Sequence, residues 1–318
     1  MLYPEIQPYA SGLLDVGQGH RIYWEQCGNP EGQPIVFLHG GPGGGCTPQS
    51  RRFFDPRQYR VLLFDQRGCG RSTPHAGTQH NGCEQLVNDM ELLRETLQID
   101  QWMLYGGSWG CALALAYTKL HRQRVRALVL RSVFTGQRHE LDWLYRPGGA
   151  SQVLAQDWQA FATALGPLAP TDLLAGYAEC LRGADAERQQ HAALAWCRWE
   201  NALQSLHANS PTEAPEPLHA LAMARISTHY FVNDPWLAHA NFLWPAYYLA
   251  GLPGIIVQGQ HDMVTPSATA WQLHQAWPGS ELRMVPEAGH ASSNLALRKA
   301  VLGALDDILI TTRRPVWQ

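Results

Sequence analysis

Gly106-Gly107-Ser108-Trp109-Gly110 matches Gly-x-Ser-x-Gly, a pattern that sets a serine on a sharp turn between a strand and a helix. The flanks fit: the apolar run Trp102–Tyr105 precedes the motif, and Ala112-Leu115-Ala116 follows at helical spacing. Such a turn lifts the hydroxyl above the sheet and turns a helix N-terminus toward developing negative charge. A serine hydroxyl needs a base to take its proton, and the base needs a third group to orient it. On this kind of scaffold the acid and then the histidine follow the serine, each in a loop after a strand. Asp262 meets that requirement, lying beyond Ile255–Gln258 and before the turn at Thr265-Pro266. Asp142, Asp157, Asp172, Asp185 and Asp234 fall in a segment of different character, and Asp306 and Asp307 come after both histidine candidates. Of those two histidines, His274 sits on Ala268–Trp277, which reads as a helix face. His290 sits in the loop Glu287-Ala288-Gly289-His290 after the strand-like Leu282–Val285, where an imidazole can reach over the serine. The expected set is therefore Ser108 as nucleophile, His290 as base and Asp262 as orienting acid.

Acyl transfer also needs donors for an oxyanion. The amide just past the nucleophile, that of Trp109, is one. The other is expected from His39-Gly40-Gly41-Pro42-Gly43-Gly44, where Gly41 can turn its N–H inward with no Cβ in the way. A phosphate-cradling role for this loop is the weaker reading, because the lysine and the Ser/Thr of such loops are absent.

The elements that must hold these residues are legible as short apolar runs. Ile35–Leu38, Val61–Phe64, Trp102–Tyr105 and Ala127–Leu130 do not alternate with polar residues, as expected of strands covered on both faces, and the strand pattern returns at Ile255–Val257 and Leu282–Val285. Leu86-Val87-Met90-Leu93-Leu97 between them recurs at helical spacing, so the class is α/β with a mostly parallel sheet flanked by helices. Leu13–Glu25, broken by Gly17-Gln18-Gly19, reads as an antiparallel hairpin leading into the sheet. Residues 138–239 differ: alanine, leucine and glutamine dominate, with Trp143, Trp158, Trp196, Trp199 and Trp236 and almost no strand-like run. The expectation is a helical cap at 138–239, inserted into a core made of 1–137 and 240–318. It should cover the C-terminal edge of the strands, where open α/β sheets bind ligands.

Composition narrows the partners. Apolar residues are 45% of the 318 and charged ones 16%, enough for a large core. The net charge of −3, from 24 basic and 27 acidic residues without long runs of one sign, argues against nucleic acid. No stretch approaches the roughly 18 apolar residues of a membrane span, and Met1-Leu2-Tyr3-Pro4-Glu5 lacks the basic and apolar regions of a secretory signal. Seven cysteines with no Cys-x-x-Cys pair read as reduced thiols in a cytoplasmic protein. No metal, nucleotide or flavin is called for.

With these motifs in hand, the sequence resembles the proline iminopeptidases, or prolyl aminopeptidases, which release N-terminal proline from peptides. The resemblance rests on His39-Gly40-Gly41-Pro42-Gly43, Asp65-Gln66-Arg67-Gly68-Cys69-Gly70-Arg71-Ser72, Gly106–Gly110, Gly259-Gln260-His261-Asp262-Met263-Val264 and Ala288-Gly289-His290, in the family's order. It implies the α/β-hydrolase fold with a largely helical cap, and short peptides or small amides and esters as substrates. Asp65-Gln66-Arg67-Gly68 is expected to buttress the loops beside the site rather than to take part in the chemistry.

Trp196-Cys197-Arg198-Trp199-Glu200 is similar to the family's Trp-x-x-Trp-Glu segment, whose glutamate meets the substrate's charged amine. The resemblance also implies that Phe134, Tyr145 and Phe231 line a proline pocket. Arg225-Ile226-Ser227-Thr228-His229-Tyr230-Phe231 departs from the family pattern, which has glutamate after Arg-Ile; here Ser227 supplies no charge. Losing one partner of a buried charge pair costs about 3–5 kcal/mol. A weaker grip on the amine follows, or a different substrate, so an esterase or amidase acting on another small molecule is the alternative. A binding protein that retains the fold is disfavoured by the complete Ser-Asp-His set.

Overall fold

The computed structural model describes residues 2–166, 172–206, 216–233 and 246–313. Eight strands form one sheet: β1 (Ala10–Asp15), β2 (Arg21–Gly28), β3 (Gln33–Leu38), β4 (Tyr59–Phe64), β5 (Trp102–Ser108), β6 (Val125–Val133), β7 (Gly254–Gly259) and β8 (Ser280–Val285). Their order across the sheet is β1-β2-β4-β3-β5-β6-β7-β8. β1 and β2 pair antiparallel, β2 joins β4 antiparallel, and every other pairing is parallel. The β1–β2 hairpin turns through Gly17, Gln18 and Gly19, all at positive φ.

The apolar runs serve both faces. Val36 and Leu38 of β3 belong to the core under α1 (Cys83–Thr96) and α2 (Trp109–Leu120), while Ile35 and Phe37 pack with the core under the C-terminal helix Leu295–Arg313. That two-sided burial is why these runs lack alternation. β3 is flanked by β4 and β5, so the chain changes direction across the sheet between β3 and β5. The crevice beyond the carboxyl ends of two such strands is where a ligand can enter an open α/β sheet. Here the glycine loop after β3 and the serine turn after β5 both lie at that point.

Between β6 and β7 the described residues hold no strand but five α-helices, α3 (Arg138–Tyr145), α4 (Ala155–Thr163), α5 (Leu173–Arg182), α6 (Ala186–Ser205) and α7 (Pro217–Asn233), with short 3-10 turns at Ala150–Gln152 and Tyr247–Leu249. Their aromatic residues pack on one another. Phe161 stacks on Tyr177 at 4.5 Å, Tyr145 stacks on Trp196 at 4.6 Å, and Trp158 meets Trp199 edge-on at 5.4 Å. Rings of this size bury much apolar area at small entropic cost, which suits a helical layer with no sheet of its own. Asp172 and Asp185 cap α5 and α6 by accepting from the amides of Ala175 and Arg188. Trp143 Nε1 donates to the Met263 carbonyl at 2.8 Å, tying α3 to the loop that carries Asp262. Residue 239, Trp236 and Asp234 lie outside the described residues. Among those described, no helix is long and apolar enough to cross a membrane.

Candidate active site

Ser108 ends β5 with φ 57° and ψ −122°, a conformation that L-residues rarely adopt. Close packing enforces the turn. A Cβ on Gly110 would collide with the Leu38 carbonyl oxygen, so only glycine lets α2 start directly behind β3. Gly110→Ala is therefore expected to lower stability by about 3 kcal/mol, read from the denaturant midpoint, because the atom it strikes is backbone.

His290 lies beyond β8, and its Nδ1 is 2.9 Å from Asp262 Oδ2 and 3.0 Å from Oδ1. Asp262 also accepts from the amides of Val264 and Thr265 and from the Thr265 hydroxyl, at 2.8–3.0 Å. Burial would raise its pKa, yet His290 and the Thr265 amide hold the carboxyl below its usual range. An ionised Asp262 accepts only, so Nδ1 of His290 carries the proton and Nε2 is left as the acceptor. The competing His274 is on the helix Ser267–Ala276, where its Nδ1 meets Ser280 Oγ.

A buried network joins the glycine loop to the serine turn. The Gln66 amide donates to His39 Nε2 and its side-chain nitrogen donates to the His39 carbonyl, both at 3.0 Å. Gln66 Oε1 accepts from Trp109 Nε1 at 2.9 Å. His39 Nδ1 stands 2.9 Å from the Gly40 carbonyl and 3.1 Å from the Gly45 amide, whose N–H points at it. Burial lowers the His39 pKa, which favours the uncharged ring. The two amides expected to face an oxyanion, on Gly41 and Trp109, are thus fixed relative to each other through one glutamine. Asp65 accepts from Cys46 and Arg71, and Arg67 pairs with the buried Asp89 at 2.7 Å, so the whole Asp65–Arg71 segment braces these loops.

Ser108, His290 and Gly41 line one cavity of about 340 Å³. Glu200, Phe134, Tyr145 and Phe231 line it too. Phe231 lies 5.8 Å from Phe134 and 5.9 Å from Tyr145, making an aromatic wall. Tyr145 donates its hydroxyl to Glu200 Oε1 at 2.8 Å. Glu200 is buried, and burial pushes its pKa up to about 7 against the pull of that hydrogen bond. Sequence reasoning missed Gln204, His219, Met223 and Arg131 in the lining. Nothing local marks them: three stand on helix faces that read as ordinary surface or core, and Arg131 interrupts an apolar strand.

Ser227 stands apart from this group. It is fully buried, does not line the cavity, and donates its hydroxyl to the Pro42 carbonyl at 2.9 Å. Nearby, a Cβ on Gly43 would meet the Met223 Cα at 2.7 Å, so α7 packs directly on the glycine loop. Ser227→Ala is expected to cost about 1–2 kcal/mol by leaving a buried carbonyl without its donor. A denaturant titration measures that cost, and KM for a proline amide should change little beside it.

Ser108, Asp262 and His290, met in that order at the carboxyl ends of β5, β7 and β8, place the chain among the α/β hydrolases. A family model for the alpha/beta hydrolase fold matches residues 33–293. The chain is 45% identical to a proline iminopeptidase of Xylella fastidiosa, covering 92% of this chain and 94% of that one. It is 43% identical to a proline iminopeptidase of Neisseria meningitidis, covering 97% and 99%. A proline iminopeptidase-related protein from Thermus thermophilus superposes with a TM-score of 0.58 at 23% identity, over 96% of this chain and all of the other, which speaks for the fold alone. The chain belongs to the proline iminopeptidase family.

Proposed function

We propose that the protein is a serine aminopeptidase that releases N-terminal proline from short peptides through an acyl-enzyme. One observation carries this reading: a single cavity holds Ser108 and His290 together with a buried carboxylate, Glu200, set among Phe134, Tyr145 and Phe231. The aromatic wall suits a flat, apolar ring, and Glu200 suits the amine that the ring carries.

In the proposed mechanism Ser108 Oγ attacks the prolyl carbonyl while His290 Nε2 takes its proton. Asp262 holds the imidazole in the required tautomer and stabilises its cation. The amides of Gly41 and Trp109 receive the oxyanion. His290 then protonates the leaving amine, and a water activated by the same imidazole hydrolyses the ester, freeing proline and Ser108. Residues 138–239 act as a cap that closes the site and limits substrates to small ones. A cytoplasmic setting is part of the same reading, supported by cysteines of which none is bridged.

Mass spectrometry of products from Pro-Ala-Ala and N-acetyl-Pro-Ala-Ala tests the reading. Free proline and Ala-Ala are expected from the first and no cleavage of the second; equal cleavage of both would remove the amine from recognition.

An esterase or amidase for an uncharged small molecule is the second reading. It is favoured by the raised pKa of Glu200, which leaves much of that carboxyl uncharged near neutrality.

A further inference from the structure

A second cavity, of about 310 Å³, adjoins the first and shares Gly40, Thr47, Arg131 and Ser292 with it. No residue of α3–α7 lines it, so it opens on a different side of the Ser108 turn from Glu200. Its floor is aromatic, with Phe37 5.4 Å and Phe53 6.1 Å from Tyr105. Its charges have one sign: Arg131 and Arg298 line it, and no carboxylate does. Among the described residues neither arginine has an ion-pair partner. Arg131 donates to the His290 carbonyl at 2.9 Å and Arg298 to the Ser292 carbonyl at 3.0 Å, contacts that leave part of each guanidinium unused.

We propose that this cavity receives the residue that follows the N-terminal proline, and that Arg298 and Arg131 bind the free carboxylate of a dipeptide there. This rests on the prolyl aminopeptidase reading and extends it to the leaving side of the scissile bond. A dipeptide is positive at its amine and negative at its carboxylate. The two cavities present the opposite order: Glu200 lines only the first, Arg298 only the second, and Arg131 stands where they meet. An extended residue spans only about 3.3–3.6 Å, so a carboxylate one residue beyond the scissile bond stays close to the serine turn. Guanidinium groups suit that target, since they bind carboxylates through paired N–H donors. The aromatic floor would take an apolar side chain on the same residue.

The test measures kcat/KM for Pro-Phe and for Pro-Phe amide, which lacks the charge, in wild type and Arg298→Gln, with proline β-naphthylamide alongside. Wild type is expected to favour the free acid about tenfold, mainly through KM. In Arg298→Gln that ratio should fall close to one, while Arg298→Lys, which keeps the charge, should retain most of it. A wild-type ratio near one overturns the proposal, as does a ratio that Arg298→Gln leaves unchanged. Equal loss in the lysine and glutamine variants also overturns it, since charge would then not be the agent. In each of these cases β-naphthylamide hydrolysis leaves the aminopeptidase reading standing. Absence of proline release from all three substrates overturns that reading and the subsite with it.

Discussion

Ser108→Ala is expected to lower kcat for proline release by about 10⁶-fold while the protein stays folded. Alanine at this position keeps a Cβ and meets the same backbone strain as serine, so far-UV circular dichroism and the unfolding midpoint should barely move. His290→Ala should lose about as much, and the double variant no more than either alone, because nucleophile and base act as one unit. Asp262→Asn is expected to lose about 10⁴-fold. The asparagine amide would donate where the carboxylate accepts, turning His290 toward the tautomer that cannot take a proton from Ser108. Additive losses in the double variant would mean that the two residues do not share a step.

Glu200→Gln is expected to cost about 100-fold in kcat/KM for proline amides and less than about threefold for a p-nitrophenyl ester. Gln is close to Glu in shape and can still accept from the Tyr145 hydroxyl, so the loss reports the charge rather than the packing. The same residue should give the enzyme a distinctive pH profile. Burial raises Glu200 to about 7, so in the free enzyme it is mostly neutral below that pH and mostly charged above it. Binding of a cationic amine therefore strengthens as pH rises through 7. His290 enters the rate of amide and ester alike, so the ratio of the two isolates Glu200. That ratio should climb between about pH 6 and about pH 8 in wild type and stay flat in Glu200→Gln. A ratio that falls over this interval would mean that the amine is not met by this carboxylate.

Legibility in the sequence follows locality. The serine turn announces itself because strand, glycines and helix must all lie within one short segment; Gly106–Gly110 carries the whole geometry. Asp262 and His290 emerge from chain order, since each follows a strand whose apolar run is visible. The β1–β2 hairpin shows because glycines mark its turn. What the sequence hides is contact across the fold. Ser227 stands where the family pattern has a second amine-binding carboxylate, and the sequence does not show that it donates to Pro42, 185 residues away in the chain. Tyr145 can be named as an aromatic wall, but not as a donor to Glu200, because α3 and α6 meet only after folding. Arg131 is invisible for the opposite reason: within the mostly apolar β6, which also carries Arg126, an arginine looks incidental until the strand's end is placed beside His290. Asp172 and Asp185, by contrast, are set aside as acids because they fall in the segment of cap-like composition, and they serve as helix caps.

The central claim is that this cavity releases N-terminal proline by serine acyl transfer. Hydrolysis of proline β-naphthylamide, measured beside alanine β-naphthylamide and a short-chain p-nitrophenyl ester, tests it most directly. A strong preference for the proline substrate, absent in Ser108→Ala, is the expected result. Rapid turnover of the ester with no naphthylamine released from proline would contradict it, and would mean that the same serine serves another substrate.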